Sequence, residues 1–236
     1  GMEAEKLFRV YAYKDGNTEL AKPDASAEYT VQADGTATGN MPLYRGKYNL
    51  YLVAYNSKTD TPVMTSGSKN IDVHNGRDFM YTQIEGLVVQ PENTVPLATP
   101  FKRMGTQVQI RVKAKDGGQP VRPESLKVNN VKIEGLPETL SFPLGSTGWN
   151  AAENYEGPGF TYYNFTKNDY AVTEFRESGK EVLLPVDGTA MLKFTVNLTV
   201  GYKDGPEDKT LTDDYETAIQ KVLLPAMRNV FDFTLT

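Results

Sequence analysis

The residues that could do chemistry in this chain are few and poorly grouped. His74 is the only histidine and there is no cysteine, so thiolate catalysis, iron–sulfur clusters and Cys-ligated zinc are excluded at once. His74 stands before Asn75-Gly76 with no second histidine to share a metal, which makes it a strand-end or surface residue. Ser146-Thr147-Gly148 lacks the strand–turn–helix setting of a nucleophile elbow. Asp204, Glu207, Asp208, Asp213 and Asp214 could offer oxygens to calcium. Their spacing matches no oxygen-ligand loop, however, and Lys203 and Lys209 dilute the charge, so a solvated hairpin tip is the favoured reading. No catalytic residue, metal ligand or cofactor site is expected. The one segment suited to contact is the aromatic stretch 145–170, with Trp149, Tyr155, Tyr162 and Tyr163 as candidate ligand or partner contacts. Flat amphipathic rings stack on sugars or anchor a protein partner. The plainer reading is an ordered flap folded over the second domain's sheet.

The elements that position these residues read as strands. Alternation is strict in Thr106–Lys115, where Val108, Ile110, Val112 and Ala114 share a face, and in Leu192–Tyr202, where Phe194, Val196 and Leu198 do. These faces are expected to be buried. Shorter alternating runs at 7–14, 27–33, 46–56, 68–74, 78–90, 126–135, 138–144, 180–186, 209–213, 219–224 and 229–236 fill the chain between Asp-Gly and Asn-Gly turns. With 24 Thr, 20 Val and 14 Tyr, the composition favours pleated surfaces over helices. All-β is the expected fold class. Pro91, Pro96 and Pro100 break the pattern, since proline cannot sit in a central ladder. Domains are therefore expected at 1–97 and 98–236, the second carrying the long aromatic loop.

Net charge is −5 and the pI about 5.1, spread evenly over both halves, so the field repels nucleic acid and anionic lipid. No apolar run approaches the ~18 residues of a membrane helix. Gly1 ahead of Met2 reads as a cleavage remnant, so the lack of a signal peptide is no argument for the cytoplasm.

Several segments together resemble the fimbrillin family, the two-domain subunits of protease-assembled (type V) pili on Gram-negative anaerobes. They are Lys6–Tyr13, Pro42–Asn56, Asp78–Tyr81, Phe101–Met104 running into Val108–Val112, and Met227–Leu235, in the family's order. The resemblance implies two transthyretin-like Greek-key β-sandwiches in tandem. It also implies a structural rather than enzymatic role as a stalk, tip or anchor subunit in adhesion, on the cell surface or outer membrane after export as a lipoprotein. Its partners would be other pilus subunits, joined by strand addition, with host or bacterial surface ligands beyond them. Only six residues precede the strand at Leu7 and Thr236 closes the last one. The chain is thus expected to be a monomer that accepts a donor strand beside an unpaired edge of its first domain. The competing readings are a surface carbohydrate-binding lipoprotein using the aromatic loop, and a hydrolase with two carboxylates in a cleft.

Overall fold

The computed structural model describes residues 2–91, 99–115, 123–149, 157–186 and 191–236. Every regular element in them is a strand. In chain order these are β1 (Leu7–Lys14), β2 (Ala25–Val31), β3 (Ala37–Gly39), β4 (Gly46–Ala54), β5 (Asn70–His74), β6 (Met80–Val89), β7 (Lys102–Arg103) and β8 (Thr106–Ala114). They continue with β9 (Pro123–Glu134), β10 (Thr139–Pro143), β11 (Phe160–Tyr162), β12 (Arg176–Glu177), β13 (Glu181–Leu183), β14 (Met191–Asp204), β15 (Glu207–Gln220) and β16 (Arg228–Leu235). The protein is all-β, a pair of β-sandwiches in tandem.

The chain divides into two compact units, one of residues 1–105 and 139–151, the other of 106–138 and 152–236. The boundary expected at 97/98 lies outside the described residues. The contacts instead divide the chain after Gly105 and return the segment at 139–151 to the first unit, although it follows the first strands of the second.

In the first unit, one sheet runs β3-β2-β1-β4-β6-β7. Its central strands are apolar on both faces, which is why Val10–Tyr13 and Leu50–Ala54 are buried without alternation. One face carries Tyr11, Tyr13, Tyr51, Val53 and Tyr81 and is covered by the β5–β10 ribbon, where Phe142 meets Tyr81 at 4.7 Å and Phe79 at 5.2 Å. Each tyrosine hydroxyl in this layer needs a partner. Tyr13 donates to the Leu20 carbonyl, while Tyr11 and Tyr81 accept the backbone N–H of Met64 and Gly145. The other face carries Phe8, Val10, Ala12, Leu50, Leu52 and Met80.

In the second unit, a sheet ordered β11-β9-β14-β15 faces a sheet in which β8 pairs with β12 and β13 on one side and, in parallel, with β16 on the other. The alternating faces read from sequence are its core: Val108 and Ile110 are 0 % exposed, and Val112, Phe194, Val196 and Leu198 are buried with them. The run read at 209–213 and the first two residues of the run at 219–224 belong to one strand, β15, which pairs with β14 over its whole length. Its polarity disguised it.

Arg176 closes the layer at the β12 edge. It is fully buried, yet its guanidinium serves five backbone carbonyls, those of Leu126, Asn168, Tyr170, Ala171 and Glu174, at 2.7–3.4 Å. Burial pulls its pKa below the usual arginine value, with Glu174 and Asp169 offsetting part of the effect. The planar fork thereby replaces a strand ladder for the segment 165–176. Arg176→Leu would leave those carbonyls unpaired and should cost about 3–5 kcal/mol in urea unfolding. Arg176→Lys should recover little, because an ammonium cannot span the same fork.

Burial raises the hydroxyl pKa values of Tyr11, Tyr13, Tyr51, Tyr81 and Tyr162. A folded pKa above the unfolded value of about 10 gives stability that is complete below pH 10 and lost as pH rises. Stability should therefore fall above about pH 10, and the phenolate absorbance of these residues should appear only together with unfolding.

Candidate functional site

The aromatic residues singled out by sequence do not form one surface. Trp149 is half-buried in the first unit, where its Nε1–H donates to the Met104 carbonyl at 2.7 Å and its ring packs on Phe142 and Phe79 at 5.3 and 5.6 Å. Tyr162 lies in the second unit on β11, 2 % exposed, donating its hydroxyl to the Val108 carbonyl at 3.1 Å. Tyr163, its neighbour, turns outward and is 61 % exposed. Tyr155 lies outside the described residues. The polar ends of Trp149 and Tyr162 are thus used inside the fold, and the 145–170 stretch contains a strand of the second sandwich. The acidic hairpin end is an ion-pair lattice: Lys209 meets Asp204 and Glu207, and Lys203 meets Asp208. Asp214 accepts from Asn197. His74 Nδ1 lies 2.8 Å from Thr139 Oγ1 across the β5–β10 ribbon.

What the structure does bring together is the second apolar face of the first unit. A groove of about 880 Å³ runs over it. Phe8 and Val10 of β1, Leu50 and Leu52 of β4 and Met80 of β6 form the floor, with Met2, Met41 and Phe101 at the walls. The rings form a row across strands: Tyr29 stacks on Phe8 at 5.3 Å, and Phe101 meets Phe8 edge-on at 5.6 Å. Gly39 makes this row possible, since a Cβ there would fall 2.4 Å from the Tyr29 ring. Asp78 gives the groove a fixed polar end. It accepts from Arg103 Nε at 3.0 Å and from Asn56 Nδ2 at 3.0 Å, and both donor residues line the groove. Such a site can hold an extended apolar segment by area and shape. No group of three His, Asp or Glu residues converges among the described residues.

The groove was not picked out from sequence, because its residues come from β1, β2, β4, β6 and the connections around β3 and β7. The available signal was the loss of alternation in Val10–Tyr13 and Leu50–Ala54, which shows that this sheet must be covered on both faces.

Two sandwiches, one of them bearing an open apolar groove, define a tandem β-sandwich protein. The sequence profile of the fimbrillin-like family matches residues 1–236, and the chain belongs to that family. Comparison with curated protein sequences finds no match. Among solved structures, a candidate cell adhesion protein from Bacteroides fragilis superposes with a TM-score of 0.62 at 15 % identity, covering 98 % of this chain and 81 % of the other. A second, from Bacteroides uniformis, gives 0.59 at 15 % identity over 99 % and 88 %. A third, from Bacteroides eggerthii, gives 0.51 at 11 % identity over 98 % and 80 %. At these identities the likeness is one of fold.

Trp149 is the only tryptophan, so its emission reports on the first unit alone. It should shift on unfolding of that unit and stay unchanged when mono- or oligosaccharides are added. Trp149→Ala should lower stability by about 3–5 kcal/mol through the lost ring packing.

Proposed function

We propose that this protein is a structural, non-enzymatic subunit of a bacterial surface pilus that serves adhesion and joins its neighbours by strand addition. The family supports the pilus role, and the fold neighbours described as cell adhesion proteins support adhesion. The observation that carries the assembly step is the first unit's groove. Its floor of Phe8, Val10, Leu50, Leu52 and Met80 presents apolar side chains in a row suited to the alternate residues of an incoming strand. In this reading the protein works outside the cell, exported to the outer membrane as a lipoprotein, and its partners are other subunits.

A neutral peptide alternating valine and threonine over seven residues tests the groove. It should bind the full chain saturably, and Met41→Lys or Phe101→Lys at the groove wall should weaken binding about tenfold or more by breaking an apolar contact. Binding that survives both substitutions would overturn the assignment of the groove.

A further inference from the structure

β15 is the strand that the second sandwich does not finish covering. Its core-side residues Leu211, Asp213, Tyr215, Thr217 and Ile219 are in register with Val200, Leu198, Val196, Phe194 and Leu192 of β14. Those β14 partners are all buried, yet Leu211 is 48 % exposed, Asp213 and Thr217 are exposed, and only Tyr215 and Ile219 pack against the core. The facing sheet explains this. β12 lies over β9, where Arg176 reaches the Leu126 carbonyl, and β16 lies over β14, where Phe231 and Phe233 meet Phe194 at 4.9 and 5.2 Å. The next position, over β15, is taken by no strand among the described residues.

The edge that borders this position can form a ladder. The N–H groups of Gln107 and Lys115 donate to the carbonyls of Met227 and Leu235, so the odd-numbered residues at and beside β16 turn their main chain toward β8. Alternation then aims the N–H and C=O of Val230 and Asp232 away from β8, toward the uncovered position. Val230 is 39 % exposed. Among the described residues nothing pairs with this edge, and together with the β15 face it makes an L-shaped notch.

Geometry and charge decide the occupant. β15 extends one strand beyond β16, so a folded sheet approaching this edge, such as a second copy of the chain, would run its own facing layer into β15. A lone extended segment fits. β15 carries Glu207, Asp208, Asp213, Asp214 and Glu216 against Lys209, which is already engaged by Asp204 and Glu207. Asp213 stands between Leu211 and Tyr215 on the core-side row, so a residue placed over it gains from being cationic and its neighbours two positions away gain from being apolar.

We propose that the free edge of β16 and the core-side face of β15 form an acceptor notch for one extended segment of a partner protein, with apolar residues at alternate positions and a Lys or Arg seated over Asp213. This site is separate from the groove of the first unit and does not rest on it.

The test uses the full chain carrying Phe101→Lys, so that the first unit's groove no longer competes, and two labelled peptides, acetyl-Val-Thr-Lys-Thr-Val-Thr-Val-amide and its counterpart with Glu for Lys. The Lys peptide should bind saturably in fluorescence anisotropy and protect the amides of Val230 and Asp232 from hydrogen exchange. The Glu peptide should bind about tenfold more weakly, and Asp213→Lys should reverse that preference. Val230→Pro removes an N–H that points away from β8, so it should abolish binding while leaving the β8–β16 ladder and the far-UV spectrum intact. Equal affinity for both peptides, no binding of either, or affinity unchanged in both variants would overturn the proposal. So would protection confined to β1 and β6, which belongs to the groove, or self-association that Val230→Pro abolishes, which would place a second copy at the edge.

Discussion

A sheet that is apolar on both faces must be covered twice, and the first unit is organised by that constraint. Burying a side chain of the size of Leu50, Leu52, Tyr13 or Tyr51 contributes about 1.5–3 kcal/mol. β1 and β4 place such residues on both faces at once. The tyrosine face is closed by the β5–β10 ribbon with Phe142, and completing that ribbon requires a segment that returns after β9 has already been laid down in the other unit. Among the described residues the opposite face is covered by connections, with Met41, Leu43 and Phe101 packed against its cluster. The groove follows from this asymmetry: a two-stranded lid on one side and irregular chain on the other.

The second unit answers the same requirement differently. Its sheets are each apolar on one face, so alternation is clean in β8 and β14 and one shared core suffices. Where the β12 edge runs short of strand, a side chain takes over the hydrogen bonding. Arg176 gathers five carbonyls from a segment that makes few ladder bonds of its own, which fixes Asn168, Tyr170, Ala171 and Glu174 relative to β9. Among the described residues this buried cation makes no ion pair, and it is tolerated because those carbonyls replace the hydration it loses.

Legibility in the sequence tracked how evenly an element is buried. β8 and β14 were plain because one face meets the core and one meets water. β15 is hard to read from sequence because Asp213 and Thr217 interrupt its row of Leu211, Tyr215 and Ile219; only pairing with β14 makes Glu207–Gln220 a strand. β3, β7, β11 and β12 are two or three residues long and carry no period at all. The ribbon segment Thr139–Pro143 read correctly as a strand, but nothing local says that it belongs with β5 rather than with the strand just before it. Of the aromatic residues, Trp149 and Tyr162 looked alike in sequence. Their roles differ from that of Tyr163 because each found a backbone carbonyl inside the fold, a pairing between residues 45 and 54 positions apart.

The exposed strand edges show why such a protein can carry an open apolar groove without its surface turning adhesive everywhere. An unpaired edge invites pairing with any extended chain unless charge or geometry limits access. At β15 the limit is charge: apart from Leu211 its outer half is charged or polar, and Lys209 is held in the turn by Asp204 and Glu207. At β16 the limit is the overhang of β15, together with Asp232, whose carboxylate is held by Arg111 through two hydrogen bonds at 2.6 and 2.7 Å. Arg111 in turn lies 4.5 Å from the Phe175 ring, so the outer face of β8 and β16 is a fixed polar layer rather than an apolar one. At these two edges, charge and the overhang thus restrict which chain can pair, and only an extended segment can reach the main chain of β16.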